Sequence, residues 1–349
     1  MSTVLHYYRG RVALHAVLEG LGVGAGDPVV VQAYTCAAVV EPLLRLGARP
    51  VFVDIGRESL TIDPALVPAD ARAIVVQHTF GNLARLPDTG VPVIEDCAHL
   101  GPDAPPTTGV ASFNSFEWGK PVVAGVGGSA TVQDPALAAE MQIRYERYTA
   151  PPARRELIMT AEYLAFRVAA ETGALWRLRA LYRRLAGAGV IVGSYDDDPV
   201  HSPEYRWRMS RTVRRRLPAR AASGRRGLRT RRHVVNAYQK GLELIGVEDL
   251  SPRRAEAVPL RLPVVVERKA EVLTAAAAAG VELGDWFVSP VHPLRGAALT
   301  EIGYEKGSCP NAEWAARHIV TFPVRADVSP AMVERGLRLL AAQKAAGHV

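Results

Sequence analysis

The sequence predicts an α/β protein, with a mostly parallel sheet flanked by helices in a large domain and a small α/β domain after it. Three observations carry this prediction. Short runs rich in Val and Ile, bounded by Gly, Pro or Asp, recur through the first 135 residues, as strands buried on both faces do. Helical stretches alternate with those runs, the connection that parallel strands need. The chain has 349 residues, 48% hydrophobic and 22% charged, enough for two units with full cores at roughly 150 residues per domain.

Residues 11–21 read as a helix with Val12, Leu14, Val17, Leu18 and Leu21 on one side. The glycine-rich stretch 20–26 follows that helix and precedes the run 28–33. A dinucleotide fingerprint needs the reverse order, so this stretch is a helix-to-strand turn. Residues 36–46 are helical; 50–55, 73–77 and 92–95 are strands; 111–116 and 129–133 are further strands around a tight turn, GVGG, at 125–128. Residues 135–185 read as helical and amphipathic, through Leu157, Ile158, Leu164, Phe166, Val168, Leu175, Trp176, Leu178 and Leu181. A loop with an acidic run at 196–198 covers 187–203, and a long helical stretch at 208–246 is expected to break near Pro218 and Gly224. The large domain is assigned to 1–232, including a basic helical stretch at 140–232, and the small domain to 233–349. The latter holds a strand at 257–265, a helix at 268–279, a segment at 284–293, a strand at 319–323 and a last helix with Ser329 as N-cap and Pro330 at its first position.

Three cysteines, Cys36, Cys97 and Cys309, lie far apart without a CxxC, which argues against a zinc site or disulfide framework. No metal is expected, and a reducing, cytoplasmic compartment fits. The first ten residues show no signal pattern, and no apolar run of about 18 residues is free of charge. The net charge of +7 is uneven: residues 144–232 hold 21 Arg, no Lys and 8 acids, a balance of +13, which leaves the remainder at −6.

Three features mark the chemistry. Asp96 follows a buried strand, Ser115 and Lys120 follow the next, and Gly10–Arg11 opens the first helix. Ligands of open α/β sheets bind at the carboxyl ends of strands. A lysine amine, a carboxylate and a free helix N-terminus there would suit pyridoxal 5'-phosphate (PLP), as Schiff-base former, pyridinium partner and phosphate site respectively. By spacing alone, a lysine after a strand is more often a solvated surface residue.

The blocks VVVQAYTCAAVVEPLLRLGARPVFVDI, VIEDCAHLGP and SFEWGKPVVAGVGG resemble, in order, hallmark blocks of the DegT/StrS family of sugar aminotransferases. YRWRMS at 205–210, PVHP at 290–293 and GSCPNAEWAARHIVTFPV at 307–324 continue the likeness over nearly the whole chain. The resemblance implies a fold-type-I PLP enzyme acting as a homodimer with shared active sites. It puts Lys120 at the internal-aldimine lysine, Asp96 at the pyridinium partner, Ser115 at the phosphate-binding hydroxyl, and Gly10 and Arg11 at the phosphate-contacting start of the first helix. His99 stands where the family has Gln near the phenolic oxygen. His292 falls where the family brings a histidine toward the sugar, and Trp286 and Tyr205 are expected to line the acceptor pocket. Each of these three is as readily a loop or core residue.

The departures are specific. Cys36 replaces an aromatic residue packed on the cofactor ring, so Tyr34 is expected to stack instead. Arg206 replaces an Asn that reaches the phosphate of the neighbouring subunit. Val126 replaces a Glu, residues 86–90 replace a helix, and the stretch between Lys120 and Met209 is longer than usual.

The implied reaction is ping-pong transfer of an amino group from glutamate or glutamine, with Lys120 as general base and acid, to a keto-sugar, nucleotide-linked or not, or a related ketone. An eliminating or condensing PLP enzyme, or a PLP-binding regulator, is the alternative. For the basic block three readings stand: a solvated face with intersubunit ion pairs, recognition of a phosphate-bearing acceptor, or peripheral docking on an anionic membrane through 155–190, where Tyr163, Phe166, Trp176 and Tyr182 interleave with arginines. Nucleic acid is not an expected partner, because the run 214–216 comes with no recognised motif.

Overall fold

The computed structural model describes residues 2–101, 107–171, 201–252 and 258–349. The expected Leu175, Trp176, Leu178, Leu181 and Tyr182, the acidic run at 196–198 and most of the loop around it lie outside the described residues.

The first part runs β1 (Thr3–Tyr7), α1 (Gly10–Gly20), β2 (Pro28–Gln32), β3 (Thr35–Cys36), α2 (Ala37–Arg45), β4 (Arg49–Val53), β5 (Ala73–Gln77), β6 (Val93–Asp96), β7 (Ala111–Ser115) and β8 (Gly128–Val132). Then follow α3 (Pro135–Tyr145), α4 (Ala153–Glu171) and α5 (Arg211–Leu244). The last part holds β9 (Arg261–Val265), α6 (Lys269–Ala278), β10 (Val291–His292), α7 (Ala297–Glu301), α8 (Pro310–His318), β11 (Ile319–Pro323) and α9 (Pro330–Ala345).

Seven strands form one sheet in the order β1-β8-β7-β6-β5-β2-β4. The strands from β7 through β6, β5 and β2 to β4 pair in parallel, while β8 runs antiparallel to both β7 and β1. Of the apolar runs read as doubly buried strands, β5 is buried along its whole length, whereas β4 lies at the sheet edge with only Val53 buried. Helix α1 lays Val12, Leu14, Val17 and Leu18 into the core formed with Val29, Val31, Val75, Ile94 and Phe113. Its N-terminus lies hard against the sheet. A Cβ on Gly128 would come within 2.3 Å of the Arg9 carbonyl carbon, so only glycine lets β8 pass under the start of α1.

A second core gathers the far half of α5 (Val234, Val235, Tyr238, Leu242) with β9, β11, α6 and α9. Ser329 caps α9 as expected, its hydroxyl accepting from the Met332 amide at 3.3 Å. The segment before β10 returns to the first part of the chain, where β10 pairs in parallel with β3 as a separate two-stranded sheet and Thr35 N donates to Pro290 O at 3.0 Å.

Several expectations are corrected. Strand β1 was not anticipated. Helix 135–185 is divided by an interruption containing Pro151 and Pro152, since proline cannot donate to the ladder. Leu157, Leu164 and Val168 face away from the protein, not into it. The break near Pro218 and Gly224 does not occur: α5 runs 34 residues through both, about 51 Å at 1.5 Å per residue. Pro218 is exposed, and both ends of α5 are held in cores, Val213 near Ala124 and Met209, and Val234–Leu242 in the second. The start of α5 is capped by Ser210, and Glu156 of α4 accepts from the Arg211 amide at 3.0 Å. The domain limit at 232/233 falls inside this helix. The strand expected from 257 is observed as β9, with residue 257 outside the described set.

Candidate active site

An open cleft lies over the carboxyl ends of β5, β6 and β7. Gln77, Asp96, His99, Phe113 and Ser115 come from the strand ends, Gly10 and Arg11 from the start of α1, and Cys36 from the start of α2. Glu117, Trp118 and Lys120 follow β7, and Trp286, Phe287 and His292 close the cleft from the C-terminal part. Nine of the expected residues therefore share one cavity: Gly10, Arg11, Cys36, Asp96, His99, Ser115, Lys120, Trp286 and His292.

Asp96 is buried. Its Oδ1 accepts from the Ala98 amide at 2.9 Å, while Oδ2 has no hydrogen-bond partner among the described residues. Burial pushes its pKa up, and Lys120, the Ala98 amide and His78 oppose that rise. His99 accepts from the Phe80 amide at Nδ1, 3.1 Å away, so a neutral ring carries its proton on Nε2. Burial, then Lys120 and Arg261, hold it well below the ordinary histidine range. The titration that a histidine would add here is thereby suppressed. Its ring lies parallel to Phe80 and close to parallel to Trp286, at centroid distances of 5.9 and 6.3 Å. Phe80 holds a left-handed backbone (φ 56°), a strain that only a well-packed surround keeps in place.

The start of α1 has no side-chain cap, so its first amides and the helix dipole remain available to an anion. A Cβ on Gly10 would stand 3.0 Å from the Ser115 Cβ, which measures how closely the hydroxyl-bearing residue approaches those amides. Two buried arginines flank this end. Arg9 donates to Glu117 at 2.7 Å and to Glu204 at 2.6 Å, and Glu204 also takes Arg155 at 3.1 Å. Burial alone would raise Glu117, but Arg9 and Arg11 override it and keep the carboxyl below its usual range. Arg11 lines the cleft while its Nη1 pairs with Glu41.

Lys120 Nζ lies 5.9 Å from the Trp286 ring centroid, and the Arg261 guanidinium stacks on that ring at 4.8 Å. Lys269 pins the Trp286 segment, donating to Asp285 O, Phe287 O and Ala316 O at 3.1, 2.9 and 2.9 Å. Burial lowers His292 to about 4.

Three expected residues are not in this cleft. Tyr34 is fully buried behind the wall, its hydroxyl 3.3 Å from both the Trp286 carbonyl and the Phe287 amide. It supports the cleft and has no face free to stack on a ligand there. Tyr205 is buried between the His15 ring, at 5.0 Å, and the Arg45 guanidinium, at 4.5 Å, so it lines no acceptor pocket. Arg206 is exposed and does not line its own chain's cleft. Sequence reasoning passed over Gln77, Glu117, Trp118 and Phe287. Glu117 and Trp118 lie within the SFEWGK block, whereas the buried partner Arg9 left no local signal.

Among the described residues no cluster of three or more His, Cys, Asp or Glu side chains suits a metal ion, and no helix is long and apolar enough to cross a membrane. A sequence model of the DegT/DnrJ/EryC1/StrS aminotransferase family matches residues 4–218 and 222–338. The L-glutamine:2-deoxy-scyllo-inosose aminotransferase of Streptomyces kanamyceticus is 35% identical over 178 residues, 44% of this chain and 42% of that protein. The UDP-4-amino-4-deoxy-L-arabinose–oxoglutarate aminotransferase of Shewanella sediminis is 36% identical over 145 residues, 37% of each. The chain thus spans about two-fifths of the length of such curated relatives. Among solved structures, S. venezuelae DesV in complex with a ketimine intermediate superposes with a TM-score of 0.70 at 22% identity, covering 99% of this chain and 85% of that one. A DegT DnrJ EryC1 StrS aminotransferase from Brucella abortus gives 0.70 at 19% identity, covering 97% and 85%.

Proposed function

The chain belongs to the DegT/DnrJ/EryC1/StrS aminotransferase family, and from that premise we propose that it moves an amino group from glutamine or glutamate to a keto-sugar or keto-cyclitol, using PLP bound in the cleft. The observation that carries this reading is the meeting of Lys120, Asp96 and the uncapped start of α1 in one cleft. The relatives' printed substrates, an inosose with L-glutamine and a UDP-sugar with oxoglutarate, support the donor and acceptor classes.

The residues fit the cofactor. Asp96 keeps one carboxylate oxygen bonded and the other without a hydrogen-bond partner among the described residues, as a residue holding a proton on a ring nitrogen requires. The amides at Gly10 and Arg11, with the Ser115 hydroxyl, would hold the phosphate. When bound, PLP supplies a carbonyl that condenses with amines and a ring that takes up an electron pair. Lys120 Nζ would take the proton from the substrate carbon that bears the amino nitrogen and return it on the far side of that nitrogen, a 1,3-shift. Neutral His99 would offer its Nε2 proton as a hydrogen bond. Trp286, His292 and Cys36 would face the acceptor, and Trp118 and Phe287 would exclude water. Exposed Arg206 suits a contact to the phosphate of a second subunit, so a homodimer with shared sites is part of the proposal. With three free thiols, we place the activity in the cytoplasm.

Lys120→Ala tests the reading. With PLP, glutamine and a panel of keto-cyclitols and keto-sugar nucleotides, transfer of a heavy-nitrogen label should fall by about 10²- to 10⁴-fold. The visible absorbance that develops on titrating PLP into the native chain should also disappear. Undiminished label transfer in the variant would overturn the assignment. Elimination or condensation chemistry would instead release or extend the substrate without taking up label.

A further inference from the structure

Helix α4 turns an apolar stripe away from the protein. Leu157, Leu164 and Val168 are 72%, 56% and 61% exposed, and Ala161 is exposed between them. At 100° per residue these four fall within one narrow arc of the helix. The rest of the helix is in use. Tyr163 and Phe166 pack on Trp118, at 6.2 and 4.2 Å between centroids, and Glu156 binds the start of α5. Glu162 points off the stripe, with its Oε2 buried.

Beside this stripe lies α5, whose residues 211–232 include ten arginines and no acid. Arg211, Arg214, Arg215, Arg225, Arg226 and Arg229 are exposed. Arg216 joins the two helices, its guanidinium 3.9 Å from the Tyr163 ring centroid. Leucine and valine along one face with a dense arginine ridge alongside is the composition of a helix lying in a lipid–water interface. Guanidinium groups match phosphate geometry and are weakly hydrated. A nucleic acid would take the charge but offers no apolar layer for the leucines.

We infer that α4 docks lengthwise on an anionic phospholipid bilayer, its stripe entering the headgroup–acyl boundary while the α5 arginines engage lipid phosphates. The same helix holds Trp118 in the cleft wall, so the docked face and the cleft are joined through one element. The inference rests on α4 and α5 and is independent of the proposed activity.

Flotation of the full-length protein with phosphatidylcholine vesicles, with and without phosphatidylglycerol, tests it. Recovery with anionic vesicles, little with neutral ones, and weakening as salt rises are expected. The variant L157E/L164E/V168E changes exposed positions only and should keep its thermal midpoint while binding falls about tenfold or more. R214E/R215E, with the stripe intact, should lose the preference for anionic lipid. Absence of flotation, equal recovery on neutral vesicles, or unchanged binding of the stripe variant would each overturn the inference. So would a stripe variant that halves the solution mass, which would make the stripe a contact between two copies.

Discussion

His15 lies in α1 with its ring buried against Tyr205, and its Nδ1 has no hydrogen-bond partner among the described residues. Burial, then Arg45 and Arg206, lower its pKa to about 3. The folded state therefore refuses a proton that the unfolded chain accepts near pH 6.5. Its contribution is fully present above that value and is lost as pH falls toward 3, by roughly 3 kcal/mol at about pH 4. His15→Phe should flatten the acid limb of stability by about that amount, measured as the difference between the two proteins' denaturation midpoints from neutral to acid pH. Equal slopes would mean that the carboxylates alone set the acid limb. At this scale the sequence showed which residues stand at strand ends: Asp96, Ser115 and Lys120 needed only the strand run before each of them. It did not show what surrounds an aromatic ring. Tyr34 was given to the cleft because Cys36 is not aromatic, and Tyr205 as a lining residue of the acceptor pocket, yet each ring is enclosed by residues from distant segments.

Strands β2, β5, β6, β7 and β11 were legible because both faces are buried and the apolar run is continuous. Strand β1 was not, because it is an edge strand with only Leu5 and Tyr7 buried. Helix α5 shows the opposite limit. Pro218 removes one ladder bond and crowds the carbonyl four residues earlier, and local propensity alone calls for a break. Cores at both ends hold the helix continuous through the proline. Pro218→Ala should then restore the missing bond and stabilise the protein by about 1–2 kcal/mol, after allowing for the freer unfolded chain. The thermal midpoint reports it, and a fall would mean that the proline bends the helix to advantage.

At the scale of the molecule, α5 is shared by two cores, and the two parts of the chain also meet in a third, where Tyr34, Val40 and Phe80 pack with Phe287, Tyr304 and Ala312. Val213 belongs to the packing below the cleft and Val234 to Leu242 to the C-terminal core. Gly224 lies between them, so Gly224→Pro should cut the helix where neither core can repair it. Calorimetry should show one unfolding transition in both, at a lower midpoint in the variant, because the third core couples the parts without the helix. Two transitions in the variant would show that α5 alone makes them unfold together. The domain limit expected at 232/233 falls inside α5, because the residues there do not reveal that one helix runs from one core to the other.

Trp118 and Trp286 have a consequence for observing the protein at work. Two of its five indoles line the cleft, so the chain carries its own fluorophores where substrate and cofactor would enter. Arrival of a near-ultraviolet absorber should quench their emission by energy transfer, and Trp118→Phe or Trp286→Phe should each remove part of that response. Trp118 is also clamped by Phe166 of α4, so the same emission would register lipid engagement. One optical signal, dissected by two substitutions, can follow cleft and surface in a single cuvette.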